Sequence, residues 1–230
     1  MEPLTKILEN RLAIIVVLLM CVLGVIGHHV ATANTAFNHA YLVYAAAADD
    51  ADMAAYVPTA TNNPVRQELN MILVQVLGNK MTDAERLAKV QRGLELLKAS
   101  GQQVDGISPK LDAVEVALEG MEKSLSPADA IFQTGNPQKI IALAKHRAAA
   151  TSDIRALSYR ANFQMQKIFE HVVGASGALT NSYVAQLNNE LPAEEEGFNQ
   201  RQNRYRDLQT DFDQIQDAYK DFRATTMGNR

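Results

Sequence analysis

Residues 198–222 read FNQRQNRYRDLQTDFDQIQDAYKDF, and two interleaved series of seven run through them. Phe198, Tyr205, Phe212 and Tyr219 share one heptad position; Leu208, Ile215 and Phe222 share the alternate one, with Arg201 in the first place of that second series. Apolar residues at this spacing form one stripe on an α-helix, and no Gly or Pro interrupts it. A lone helix of this length is marginal in water, so the stripe demands a partner surface. Aromatic rings at every first position are large for a tight two-stranded coil. Packing within the same chain is therefore the expected solution, with a homo-oligomeric coiled coil as the alternative. The expected seam, or interface, comprises Phe198, Tyr205, Leu208, Phe212, Ile215, Tyr219 and Phe222.

Working back from the seam, the pattern stays helical. Asn136-Pro137 opens a long helix reaching about Val173, with Ile154, Leu157, Ala161, Ile168 and Val172 on one side, and this is the expected partner of the seam. Gly174-Ala175-Ser176-Gly177 interrupts it as a loop or a kink, Asn181 to Leu191 resumes it, and Pro192 either closes that helix or opens the next. Further upstream, Ser108-Pro109 and Ser126-Pro127 have the form of a cap followed by a first-turn proline. The first of these carries Leu111, Val114, Leu118 and Met121 inward. Thr82-Asp83-Ala84-Glu85 has the capping-box form and leads a stripe of Leu87, Val90, Leu94 and Leu97 that ends at Gly101. Val65, Leu69, Ile72 and Val76 mark another helix stopped by Gly78, with Thr59 to Pro64 as the loop before it.

The N-terminal part has a different character. Residues 12–27, LAIIVVLLMCVLGVIG, carry no charge, and after Lys6 and Arg11 the next Lys or Arg is Arg66. This asymmetry predicts residues 1–11 in the cytoplasm, a transmembrane signal-anchor helix over 12–33 in membrane lipid, and the rest of the chain outside. Ala31-Thr32-Ala33 is also a usable cleavage site, which would release a secreted form. The anchor is the preferred reading, because an Ala-rich stretch without Gly or Pro runs on from His28 to Val57. Residues 34–57 then extend the anchor helix outward, loosened by Asp49, Asp50 and Asp52 before Pro58, and residues 58–230 form the body. The fold class expected is all-α: a single N-terminal transmembrane helix, then an elongated antiparallel helical bundle with a heptad-patterned C-terminal helix.

Composition narrows the function. A net charge of −4 with pI near 5.7 offers no surface for nucleic acid, and the single Cys, Cys21, lies inside the apolar run, so no internal disulfide forms. No nucleophile, base and orienting group occur together, and the chain is not expected to be an enzyme or to hold a cofactor or metal. His28 and His39 fall about three turns, ~16 Å, apart on a continuous helix, too far for one ion, and His29 beside them reads as an interfacial polar anchor. His146 and His171 have no Cys or paired carboxylate at ligand spacing in the sequence, Glu194-Glu195-Glu196 fits a helix N-terminus, and Gly174 to Gly177 lacks the lysine of a phosphate loop.

Leu187, Glu190-Leu191, Glu195, Phe198, Arg204-Tyr205-Arg206-Asp207 and Asp211-Phe212-Asp213 together resemble the C-terminal signature of the LemA family, in which an Arg-Tyr-Asn-Asp element precedes Asp-Tyr-Asn by one heptad. The resemblance implies a membrane-anchored helical body with no established enzymatic activity. Phe212-Asp213 stands where the family has Tyr-Asn, and Glu68-Leu69-Asn70-Met71-Ile72-Leu73 lacks the Pro of the family's Asp-Leu-Ile-Pro-Asn-Leu segment. The function expected is structural, scaffolding or assembly work through contacts with other membrane or extracytoplasmic proteins or with itself, the alternative being a sensory or regulatory module.

Overall fold

The computed structural model describes residues 2–57, 63–78, 81–125 and 136–227, with side chains for all of these except 2–14, 181, 188–195, 197, 198 and 227. Among the described residues the regular structure is helical and no strand occurs. The helices are α1 (Glu2–Tyr56), α2 (Pro64–Leu77), α3 (Asp83–Asp105), α4 (Ser108–Lys123), α5 (Pro137–Gly174) and α6 (Asn181–Met227).

Local chemistry sets most of the boundaries. Asn63 caps α2 by accepting from the Arg66 amide at 3.1 Å, while its own amide group donates to the Val57 carbonyl at 2.7 Å and to Gln103 at 3.2 Å. One buried side chain thus ties the end of α1, the start of α2 and the flank of α3. At α3 the capping box is complete: the Glu85 amide donates to Thr82 Oγ1 at 3.3 Å, and Glu85 accepts from the Thr82 amide at 2.9 Å. Asn136 caps α5 in the left-handed conformation, with Pro137 in the first turn.

Three apolar clusters succeed one another along the body. The first joins Phe37, Tyr41 and Tyr44 of α1 to Val114, Leu118 and Met121 of α4, Ile140 and Ala144 of α5, and Ile215, Tyr219 and Phe222 of α6. The second holds Ala55, Val104, Ile107, Ala150, Ile154 and Leu208. The third gathers Leu69, Ile72 and Val76 of α2, Val90 and Leu97 of α3, Ile168, Phe169 and Val172 of α5, and Leu187 of α6. Helices α5 and α6 therefore serve both ends. Near the apolar N-terminal run their neighbours are α1 and α4; at the far end they are α2 and α3.

Several boundaries differ from the sequence expectation, each for a local reason. Helix α3 passes Gly101 and ends at Asp105, because Val104 is fully buried and keeps the turn in the core. Ser108 does not cap α4; Ile107 holds that position, fully buried with helical backbone, so α3 and α4 meet at a two-residue joint. Pro64 belongs to α2 rather than to the loop. Asp49, Asp50 and Asp52 do not loosen α1, which stays helical to Tyr56. Helix α6 runs through Pro192 without a break. The Gly174 to Gly177 question resolves as a turn: Ser176 and Gly177 adopt positive φ (54° and 93°), and α6 starts at Asn181. Ser126-Pro127 lies outside the described residues.

Glycine allows two close approaches at the far end. A Cβ on Gly93 would stand 2.5 Å from the Phe169 ring, and one on Gly177 would stand 2.0 Å from the Asp83 carbonyl oxygen. Arg86, buried beside that second contact, donates to the carbonyls of Val76 at 3.1 Å, Gly177 at 2.7 Å and Met81 at 3.2 Å. It thereby fastens the end of α2, the start of α3 and the α5–α6 turn together.

Candidate functional site: a groove beside a buried arginine

From Ile15 to Ile26 the large apolar side chains of α1 are 40–67% exposed, and nothing in the body covers them. Burial begins at Asn34 and then follows a strict alternation of three and four: Asn34, Phe37, Tyr41, Tyr44, Ala48, Ala51, Ala55. This is a second heptad seam, and it faces the one on α6. The Phe37 and Phe222 rings lie edge to face at 5.0 Å, the Tyr41 and Tyr219 rings stack at 3.7 Å, and the Tyr56 and Tyr205 rings meet at 5.9 Å. Tyr219 donates to Asn38, and Tyr205 donates to the Ala55 carbonyl at 2.9 Å. As α1 advances from residue 37 to 56, its partners on α6 descend from 222 to 205.

The α1 seam tapers while the α6 seam does not. Phe37, Tyr41 and Tyr44 are large, whereas Ala48, Ala51 and Ala55 are small, and the space they leave takes a side chain from α5. Arg147, with its side chain 5% exposed, donates from Nε to Asp52 at 2.8 Å and from Nη2 to Asp49 at 2.7 Å. Thr151 donates to the other Asp52 oxygen at 2.7 Å, and the guanidinium carbon sits 5.2 Å over the Phe212 ring. Burial alone would lower the arginine pKa, but the two carboxylates and their hydrogen bonds outweigh it and raise the value. The phenols nearby are displaced upward too: burial, with Tyr219 adding to it, pushes Tyr41 to about 12, and burial raises Tyr44 further.

Beside this network lies an open groove of about 470 Å³, lined by Asp49, Asp52, Met53 and Tyr56 from α1, Arg147 from α5, and Tyr205, Leu208, Gln209 and Phe212 from α6. The expected seam residues are thus distributed rather than equivalent. Ile215, Tyr219 and Phe222 are buried in the first cluster and Leu208 in the second; Tyr205 and Phe212 are half-buried at the groove. The side chains of Phe198, Lys6 and Arg11 lie outside the described residues. The long helix α5 packs extensively on α6, as the sequence suggested, but the aromatic contacts of the seam go to α1 as well.

Two of the polar residues that carried the family resemblance, Arg204 and Asp211, link α6 to α5. Arg204 pairs with Asp153 at 3.0 Å, and the buried Asp211 meets His146 at 2.6 Å. His146 thus has a carboxylate partner that its own helix does not supply. His171 stacks on Tyr183 at 3.4 Å. His28, His29 and His39 are exposed, as is Glu196, and no group of side chains able to hold a metal ion occurs among the described residues. Sequence reading missed Arg147 and its two aspartates, since 95 or more residues separate the partners along the chain. The only available hint was one-sided: Arg147 recurs at helical spacing with Ile140, Ala144 and Ile154. Comparison with known protein families, curated proteins and solved structures finds no match for this chain.

Proposed function

We propose that the chain is a single-pass membrane protein with a scaffolding or assembly role. Residues 1–11 lie in the cytoplasm, 12–33 form a signal-anchor in membrane lipid, 34–57 extend it, and 58–230 complete an elongated antiparallel helical bundle outside. The bundle acts through contacts with other membrane or extracytoplasmic proteins, or with a second copy. One observation carries the reading: a single unbroken helix is apolar and bare on every side over Ile15 to Ile26, then buries one ordered seam from Asn34 onward. Bare apolar surface of that extent is a liability in water and the normal state in lipid. At 1.5 Å per residue, 12–33 spans about 33 Å, matching a hydrocarbon core of ~30 Å. Lys6 and Arg11, followed by no Lys or Arg before Arg66, support the inward N-terminus. The likeness of residues 187–213 to the LemA signature agrees with this plan.

A secreted form is favoured by one specific feature. The buried seam begins at Asn34, directly after the Ala31-Thr32-Ala33 cleavage sequence, so a chain starting there keeps every core residue of α1. Protease added to sealed right-side-out vesicles should digest a C-terminal epitope in the anchored protein, and the intact mass should retain residues 1–33. Protection of the epitope until lysis overturns the orientation. A mature N-terminus at Asn34 replaces the anchor by the secreted reading.

A further inference from the structure

Helix α1 has two opposed faces with different fates. One carries the seam from Asn34 to Ala55 and is covered by the body. About 160° around the helix, a second stripe alternates in steps of three and four, and within the body it reads Ala36, His39, Val43, Ala46, Asp50 and Met53. All six are exposed, Val43 at 51% and Met53 at 70%. A helix side turned to water ordinarily carries charge, yet this stripe has no Lys, Arg or Glu. Its one formal charge, Asp50, is already met by Lys110 of α4. Continued downward at the same spacing, the stripe runs to Ile15 and is exposed at every position. Four of the seven places in one of its series are β-branched, Ile15, Val22, Val43 and Val57, while Leu18 opens the other series and Met53 closes it. Parallel two-stranded coils favour that division.

We propose that this face joins two copies of the chain, α1 against α1, parallel and in register about a two-fold axis along the membrane normal. The inference rests on the anchored reading above. Lipid does not cover the upper part of the stripe: Val43 lies ten residues, about 15 Å, beyond residue 33, whereas a headgroup layer is about 5–8 Å deep. A second copy supplies what the face requires, an uncharged rod of equal length that its own anchor holds at equal height and in the same direction. From Ile15 to Val57 the stripe is about 63 Å long, and at a helix width of about 10 Å it gives roughly 600 Å² per copy, or about 1,200 Å² in all, where specific interfaces begin. Pairing brings no unmatched like charges together, because Lys110 travels with Asp50. The polar places, His29, Thr32 and His39, meet their own counterparts and fix the register. Each body hangs from the opposite side of its α1 and so points away from the axis.

The test uses the full chain in native membranes, with Cys21→Ser to remove the single native thiol. Ala36→Cys, Val43→Cys and Ala46→Cys, introduced one at a time, should each give a disulfide-linked dimer on oxidation with copper phenanthroline. The yield should exceed that of Val116→Cys, 71% exposed on α4, at least about tenfold, because only facing Cβ atoms come within disulfide reach. A parallel pair in register is what sets three different positions each against itself. Val43→Lys combined with Ala46→Lys places like charges across the axis and should weaken the dimer at least about tenfold in sedimentation equilibrium in a non-ionic detergent, with helicity by circular dichroism unchanged. In sealed right-side-out vesicles a membrane-impermeant maleimide should label Val116→Cys from outside. Cross-links along the stripe with Val116→Cys protected until lysis would support the pairing and overturn the outward orientation alone. Absence of those cross-links with Val116→Cys labelled would overturn the pairing and leave the anchored reading standing. A disulfide-linked species of another mass in place of the symmetric dimer would overturn it too, by putting a different protein on this face.

Discussion

The two ends of the body share α5 and α6 yet are held together by different means. Near the apolar run, tyrosines and phenylalanines of α1 and α6 fill the gap between the helices, and a buried arginine closes the place where the side chains become small. At the far end the core is mostly aliphatic, and precision comes from the backbone: a glycine under Phe169, a capping box, and Arg86 donating to three carbonyls. Large rings tolerate distance between helices, whereas glycine contacts require its absence. The near end should therefore respond most to charge and ring loss, and the far end to added volume.

Replacing Arg147 with Ala should have the largest effect. It opens a cavity and leaves the part-buried Asp52 without its charge partner, Asp49 being open to water, and should cost about 3 kcal/mol, read from urea unfolding of the full chain in micelles. Arg147→Met, which adds no cavity but also leaves the aspartates unpaired, should fall between; equality of both with wild type would dissolve the distinction between the ends. Gly93→Ala should cost about 1–3 kcal/mol, because the new methyl meets the Phe169 ring, and hydrogen exchange should quicken at the far end first. Thr82→Ala should cost about 1 kcal/mol through loss of the α3 cap.

The smallest effect should come from raising the pH just past the ordinary tyrosine value of about 10. Tyr41 titrates at about 12 in the fold. Over that window the unfolded chain has already released protons that the folded chain still holds, so stability falls as pH rises and is unaffected below it. Hydrogen exchange of 37–44 and 215–222 should accelerate before that of α2 and α3. Uniform acceleration would show that the buried phenols do not set the difference.

What could be read in advance followed from contrast. The stripe on α6 stands out because Asp, Gln, Lys and Arg occupy the positions between its rings. The equally regular seam on α1 does not, since Ala40, Ala45, Ala46 and Ala47 surround it and Asn34 opens it, so hydrophobicity barely changes around the helix. The Thr82-Glu85 box was legible because capping is a local hydrogen-bond exchange between residues three apart. Arg147 was not: a cation on a long helix is usually solvated, and nothing near it in sequence announces two aspartates on another helix. The groove, being a product of that encounter and of the taper from Phe37 to Ala55, shares its invisibility. Ser108 shows the converse error, where a familiar cap-and-proline pair sits inside a joint already satisfied by helical backbone.

Helix α1 passes from its bare stretch into the body with no Gly or Pro between His28 and Val57. It behaves as a lever without a joint. Between residues 30 and 56 it is about 39 Å long, and from Asn34 to Ala55 one face of that length is seated in the body. Tyr56, at the upper end, is one wall of the groove. Any force on the bare stretch therefore enters the packed seam at Asn34 and Phe37, with no hinge between the two, and is borne by the core before it reaches the corner where Tyr56 meets Tyr205.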